Sequence, residues 1–312
     1  MIRVRGLAVE HNINDEERKK EKFNMYEMMK NYKENEALRL SFNELAGKTF
    51  GLDFEDWYQN GFWRENYVPY SFVENGKVIA NVSVNITDIL WNGEIKKLIQ
   101  LGTVMTEETH RNKGLIRQLM EEVEKDYGTE VDGMYLFAND SVVEFYPKFG
   151  YKKVLEYQYS KEVEITGEQT MKQVLMDNAE QWERLEKAMN ENTFHGQFDM
   201  VNNNGLYMFY VSKFMQECVY YQEETDTYVI AEVDGNELMI HSIFSKKQVE
   251  LDDITNAFGK EIKKVVLGFV PKDASGYQVT EVEEEDTTLF VKEAAMEGFT
   301  GKKLMFPTLA HA

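Results

Sequence analysis

The sequence predicts an α/β (α+β) fold in which a mixed, mostly antiparallel sheet flanked by helices is followed by a second, smaller unit of the same kind. Three observations carry this reading. Two apolar runs frame the turn Glu74-Asn75-Gly76, the pattern of an antiparallel hairpin. The run from Lys113 to Asp126 keeps Leu115, Ile116, Leu119, Met120 and Val123 on one stripe, with Glu121, Glu122 and Glu124 opposite, the pattern of an amphipathic helix. Near residue 165 the order of elements begins again and leads to a second hairpin, around Val233-Asp234-Gly235-Asn236.

At 312 residues the chain has the length of two domains. Hydrophobic residues make up 43% and charged residues 29%, which places it among globular proteins that bury their own core. The formal net charge of −20 disfavours a nucleic-acid partner, whose affinity would come from Lys and Arg neutralising phosphates. It suits a cationic substrate. One cysteine, Cys218, excludes an intrachain disulfide and offers no metal-ligand spacing, so no metal is expected. MIRVRGLAVEHN is too poor in apolar residues for a signal peptide, and no run approaches a membrane span. A cytoplasmic protein with no membrane contact is therefore expected, its oligomeric state left open.

Residues 1–22 end in NINDEERKKEK and read as a polar N-terminal extension. The first domain is expected over 23–163. FNMYEMMKNY fits neither the helical nor the strand period, whereas NEALRLSFNELAGKTFG places Leu38, Phe42 and Leu45 on one helical side. In the second arm of the hairpin, Val82, Val84 and Ile86 alternate with Asn81, Ser83 and Asn85, giving one apolar and one polar face. EIKKLIQLGTVMT continues as a strand interrupted by Gly102, and Gly128 is placed to stop the amphipathic helix. DGMYLFAND reads as a buried strand, SVVEFYPKFG as a short helix, and YKKVLEYQYSKEVEI as one long final strand. The second domain, 164–312, repeats this order with MKQVLMD, the helices NAEQWERLEKAMNEN and GLYMFYVSKFMQ, the hairpin, and the strand KKVVLGFVP. It reads as a degenerate copy of the first, with a carrier-type domain unrelated to the first as the alternative.

One stretch runs against the acidic trend of the chain: HRNKGLIRQLM sets His110, Arg111, Lys113 and Arg117 around Gly114, where a strand passes into a helix. Such a turn aims free backbone N–H groups and the helix dipole at one point and so suits a phosphate. Gly114 lets the backbone approach closely, and the cations add long-range attraction. Arg-x-x-Gly has only two fixed positions and is a weak signal alone; a solvated basic helix start would look the same.

In this context the stretch resembles the GCN5-related N-acetyltransferase (GNAT) superfamily, whose signature at the same turn is Arg/Gln-x-x-Gly-x-Gly/Ala. Arg111, Gly114 and Ile116 stand on the signature positions; Ile116 departs from the small residue. A larger residue there is similar to the enhanced-intracellular-survival aminoglycoside acetyltransferases. ANDSVVEFYPKFGY resembles the family's Asn-x-x-x-x-x-x-Tyr stretch, with Asn139 and Tyr146 seven positions apart. The resemblance covers 23–163 and implies a twisted sheet and acetyl-CoA as co-substrate. It implies that Val104, Met105, Thr106, Arg111, Asn112, Lys113, Gly114, Leu115, Ile116, Arg117 and Asn139 bind the cofactor, and that Tyr146 lies beside its sulfur. Pro147 is expected to bend or restart the helix directly after the tyrosine.

The activity so implied is acetyl transfer to a primary amine by direct attack, the acceptor being a small amine or a peptide or protein amine. An amine of pKa ~10.4 is neutral only about 0.04% of the time at pH 7, so the reaction needs a proton acceptor. Tyr146 is the candidate acid for the departing thiolate. For the base, Glu107 and Glu108 read as solvated and His241 as structural. A docked C-terminal run MFPTLAHA could bring His311 or the Ala312 carboxylate to the site; in the aminoglycoside acetyltransferases a C-terminal carboxylate serves. Phe54, Trp57, Tyr58, Phe62 and Trp63, among Asp53, Glu55, Asp56 and Glu65, fall where the family puts acceptor-binding helices, although core packing accounts for most of them. The alternative to an enzyme is a non-catalytic acyl-CoA-binding sensor or scaffold.

Overall fold

A computed structural model of the chain describes residues 26–292, 298–299 and 301–312. The polar extension expected over 1–22 and the start of FNMYEMMKNY lie outside the described residues.

The chain opens with β1 (Glu27–Lys30), α1 (Glu36–Phe50) and α2 (Glu55–Gln59), followed by β2 (Tyr67–Glu74), β3 (Lys77–Trp91) and β4 (Glu94–Thr106). Next come α3 (Leu115–Tyr127), β5 (Gly133–Ala138), β6 (Lys152–Lys153) and β7 (Tyr157–Glu162). The second half holds β8 (Lys172–Gln173), α4 (Ala179–Asn190), β9 (Gly196–Val201), α5 (Asn204–Lys213), β10 (Val219–Gln222), β11 (Thr227–Asp234) and β12 (Glu237–Ser245). It ends with α6 (Leu251–Ala257), β13 (Lys264–Leu267), β14 (Val270–Pro271), β15 (Gln278–Glu281) and β16 (Thr288–Lys292).

Local chemistry sets the helix ends. The Asn35 side chain accepts the Leu38 N–H at the start of α1, and Gly51, at φ 71°, turns the chain out of it. Gly128 ends α3 in a right-handed conformation (φ −57°) rather than the left-handed one usual for a stopping glycine. A β-carbon there would run into the Glu124 carbonyl, so a glycine is still required.

The first sheet has the order β1-β2-β3-β4-β5-β16-β6, and the second β8-β10-β11-β12-β13-β7-β15. The pairings agree place by place. Strands one to four are antiparallel, β4 with β5 and β12 with β13 are the parallel pairs, and the remaining pairs are antiparallel again. The sixth strand of each sheet, however, comes from the other half of the chain. β7 leaves the first half to pair with β13, and β16 returns to pair with β5.

The single long strand expected over 151–165 is therefore two strands in two sheets. Residues 154–156 make the crossing, with the Val154 N–H on the Leu289 carbonyl and the Tyr157 N–H on the Leu304 carbonyl. The apolar pattern of the run is the same whichever sheet receives it, so sequence periodicity could not show the break. β9, which the sequence reading missed, extends the first sheet by pairing with Asp88–Trp91 of β3.

α3 closes one face of the first sheet through a core that joins Leu115, Leu119 and Val123 to Val82, Val84, Leu136 and Phe290. The opposite face packs on the second half through the larger core, where Phe198, Phe306 and Tyr135 meet. The aromatic stretch belongs to this larger core: Phe54, Trp57 and Trp63 are buried and ring-packed on one another, and buried Phe62 packs on Trp182. Three of its carboxylates are taken up by cations, Glu55 by Arg39, Glu65 by Lys33 and Asp56 by Lys213, and Asp53 accepts the Glu55 N–H.

Candidate active site

The parallel pairing of β4 with β5 runs only from Leu98–Gly133 to Leu101–Leu136 and stops there. On its other side β4 slips register: Asn81 faces Met105 and Ser83 faces Gly102, so Thr103 and Val104 stand opposite Val82 alone. Thr103 takes φ 47°, and the extra residue bends β4 away from β5. The β5-facing edge of residues 102–106 is left without a partner strand. A bulge at this place exposes backbone N–H and C=O groups to whatever lies in the gap.

A buried polar network holds the bulge. Asn81 Nδ2 donates to the Thr103 carbonyl at 2.9 Å and to Ser83 Oγ, while its Oδ1 accepts from Ser71 Oγ. The Tyr67 hydroxyl shares a 2.5 Å hydrogen bond with Thr103 Oγ1. Asn81, Ser83 and Asn85, expected on a polar face, are thus buried, at 0%, 0% and 2% exposure, and satisfied by one another and by the second half. Asn203, in the second half, donates to Asn85 Oδ1 at 3.0 Å.

Beyond Thr106 a 3₁₀ turn (Glu108–His110) leads into the basic stretch. Asn112 and Gly114 both take positive φ, 62° and 76°, and α3 begins at Leu115. Arg111, Asn112, Lys113, Gly114 and Arg117 are exposed, whereas Leu115 is buried and Ile116 packs partly against the smaller core. No side chain caps this helix start and its first turn holds no acidic residue, so the N–H groups there have no carboxylate to satisfy them. A β-carbon on Gly114 would meet nothing within 4 Å, so the space in front of the turn is open. Arg111 Nε lies 3.4 Å from the Thr106 carbonyl, and the Arg117 guanidinium lies 5.1 Å from the Phe149 ring centre. His110 is turned to Thr109 and Glu74 and is held there.

Val104 and Thr106 line the unpaired edge half-buried, while Met105 is buried. Across the gap β5 delivers Asn139, which is exposed and begins a 3₁₀ turn over Asp140–Val142. The short helix expected over SVVEFYPKFG is instead two 3₁₀ turns, the second starting at Tyr146. Pro147 lacks the N–H that an α-helical turn would use, and the N–H groups of Phe145 and Lys148 bond three residues back, to Val142 and Phe145. Tyr146 is 5% exposed, set among Phe145, Tyr151 and Phe290. Burial pushes its pKa up to about 12.

The C-terminal run docks on the face opposite α3. Phe306 stacks on Tyr135 at 3.9 Å, and the Tyr135 hydroxyl donates to the Ala310 carbonyl. The His311 ring stacks on Phe137, and its carbonyl accepts from Tyr210. Ala312 exchanges two hydrogen bonds with Gln100, N–H to Oε1 at 2.9 Å and carbonyl to Nε2 at 3.1 Å. It lies against Gly102, at the mouth of the gap. Burial lowers the His311 pKa to about 3, leaving the imidazole a weak proton acceptor.

The second sheet has the same gap and fills it. Its parallel pairing ends at Ile240–Leu267, and the next residue, Gly268, accepts the Thr308 N–H and is covered by the Thr308 side chain. His241 Nδ1 hydrogen-bonds Thr308 Oγ1 at 2.9 Å, which gives this histidine a packing role. Glu107 is half-buried and carries an ion pair to Lys48, while Glu108 is exposed.

The family model described as the acetyltransferase (GNAT) domain matches residues 32–154, the segment that carries the bulged strand and the basic turn. No curated protein matches it. Among solved structures it is similar to a probable N-acyltransferase from Enterococcus faecalis, at 16% identity over 88% of this chain and 74% of that one (TM-score 0.57). It is also similar to a GCN5-related N-acetyltransferase from Kribbella flavida, at 15% identity over 86% and 71% of the two chains (TM-score 0.53). Eis1 from Mycobacterium abscessus matches at 13% identity over 85% and 72% (TM-score 0.51). Identities this low show a shared fold.

Proposed function

We propose that the protein transfers the acetyl group of acetyl-CoA to a primary amine by direct attack. The observation that carries this reading is the pairing of an open β4–β5 gap with an uncapped, basic, glycine-led helix start at the end of the same strand. The pyrophosphate is read at the N–H groups of Asn112–Arg117, with Arg111, Lys113 and Arg117 supplying charge. The pantetheine arm lies along Val104, Met105 and Thr106, where it completes the hydrogen bonding that β5 does not. Asn139 contacts it from the other side of the gap.

Tyr146 donates a hydrogen bond to the leaving thiolate. With a pKa of about 12 against a thiol's ~8.5, full proton transfer would be uphill by about 5 kcal/mol. Donation without complete transfer is therefore its role in the transition state. The amine loses its proton at the mouth of the gap. In a polypeptide that ends at Ala312, the α-carboxylate stands there beside Gly102 and Gln100, where the resemblance places a base. The expected setting is cytoplasmic and the acceptor a small or peptide amine.

Incubation with acetyl-CoA and a panel of amines tests the proposal through release of free CoA thiol. Turnover with at least one amine is expected. Acetyl-CoA binding without turnover across the panel would favour the acyl-CoA sensor instead.

A further inference from the structure

We propose that Glu156 is a positioning residue for this reaction: its carboxyl group latches the Leu304–Ala312 segment, whose far end forms one wall of the β4–β5 gap. The inference rests on reading that gap as the site of acetyl transfer.

Glu156 sits where the chain crosses from the first sheet to the second, and three segments meet on it. Its Oε1 accepts the Phe306 N–H at 2.7 Å, and its backbone carbonyl accepts the Val282 N–H at 2.9 Å. The neighbouring Tyr157 N–H donates to Leu304, and the Tyr159 hydroxyl donates to the Lys303 carbonyl at 2.8 Å. From Phe306 onward the segment is held in sequence by Gly268 and His241 at Thr308, Tyr135 at Ala310, Tyr210 at His311 and Gln100 at Ala312. Losing this bond would loosen the backbone at the near end of a strap whose other end lies on Gly102, while the Phe306 ring stays stacked on Tyr135. Of the groups holding this strap, Glu156 is the carboxyl.

The titratable groups facing Glu156 are Glu284, from the loop between β15 and β16, and the Tyr135 hydroxyl of β5. Tyr157 and Tyr159 lie on its own segment and Lys303 on the strap, and among the described residues Glu156 forms no ion pair with any of them. Burial, reinforced by the charge of Glu284 and opposed by the Phe306 N–H, pushes the Glu156 pKa up to about 8. At neutral pH the group is thus protonated and accepts Phe306 through its carbonyl oxygen. Ionisation would place a charge in this half-buried site beside a second carboxylate, with the Phe306 N–H as its one hydrogen-bond donor among the described residues. Because the folded pKa lies above the ordinary glutamate value, protonation stabilises the docked state. That contribution is complete below the ordinary value and is lost as pH rises through about 8. The strap loosens on the alkaline side.

The test follows amide hydrogen exchange of residues 304–312, corrected for intrinsic rates, between pH 7 and 9 in the full-length protein, alongside kcat. One-proton linkage predicts that wild-type protection falls by up to about tenfold over this range, with kcat falling relative to a variant that cannot ionise at position 156. Glu156→Gln, which keeps the acceptor oxygen and cannot ionise, should hold protection flat and remove that alkaline loss. Glu156→Ala should be poorly protected at every pH, with a lowered kcat and an unchanged KM for acetyl-CoA. If it fails to fold, the comparison of wild type with Glu156→Gln decides alone. The same alkaline loss in Glu156→Gln would overturn the proposal, as would protection that follows the pattern while kcat ignores it. A wild-type protein with no turnover at any pH would instead count against the proposed function, since the exchange arm reads the latch without it.

Discussion

The carbonyl of Ala312 occupies the space that a β-carbon on Gly102 would need, so the C-terminal segment and the bulged strand are built against each other. The atoms in conflict are backbone on both sides and cannot swing away as a flexible side chain would. Gly102→Ala should therefore expel the segment from the gap. Overpacking of this kind costs roughly 1–3 kcal/mol, so a fall of several degrees in Tm is expected, with faster exchange in residues 308–312. An unchanged Tm would mean that Ala312 docks elsewhere in solution.

Binding at the Arg111–Arg117 turn is measurable as stabilisation. A ligand held only by the folded state adds about 2.7 kcal/mol at a hundredfold excess over Kd, so acetyl-CoA should raise Tm. Gly114→Asp places a carboxylate in the open space before the helix start, at a φ of 76° that a side chain disfavours. The stabilisation by acetyl-CoA should disappear in that variant. Persistence of the shift would move the pyrophosphate site away from this turn.

Tyr146→Phe keeps the ring among Phe145, Tyr151 and Phe290 and removes the hydroxyl alone. Acetyl-CoA binding should survive while kcat falls on the order of 10²-fold. Because burial holds the tyrosine pKa near 12, the hydroxyl stays protonated, and the kcat profile should show no limb from Tyr146 below about pH 10. Unchanged turnover in the variant would leave Tyr146 as a core residue only.

The second half should take no cofactor. Its gap is filled by Thr308 at Gly268, and Asp252 and Asp253 stand in the first turn of α6 where the first half has none. Lys161 pairs with Asp252 at 2.5 Å, so even that helix start is served from within the chain. Titration calorimetry with acetyl-CoA should give one site per chain; a stoichiometry of two would show the second half to be a working copy.

Much of the site's raw material was legible in the sequence. The basic turn with Gly114 and the Asn139–Tyr146 spacing are local, and local conformation follows from residue type over a few positions. The same holds for the capped helix at Asn35 and the hairpins. The interruption expected at Gly102 is instead a bulge at Thr103 in a strand that runs unbroken from Glu94 to Thr106. The burial of Asn81, Ser83 and Asn85 was not legible, because alternation separates two faces without saying what covers the polar one. Nor was Glu156 visible as more than one glutamate in a strand-like run, since its hydrogen-bond donor, the Phe306 N–H, lies 150 residues away.

The sequence by itself determined the two hairpins, the capped helix at Asn35, the amphipathic helix after Gly114 and the residues of the basic turn, because each depends on contacts within one element or its immediate neighbours. Only the tertiary structure decided which sheet each strand joins. β7 and β16 trade places between sheets of matching order, and the C-terminal segment runs past both gaps, filling one at Gly268 and edging the other at Gly102. Backbone hydrogen bonds are the same chemical group on every strand, and a period of two fixes only which side chains face in. The choice of partner falls to packing between residues far apart in the chain: Phe290 on Tyr146 and Phe306 on Tyr135.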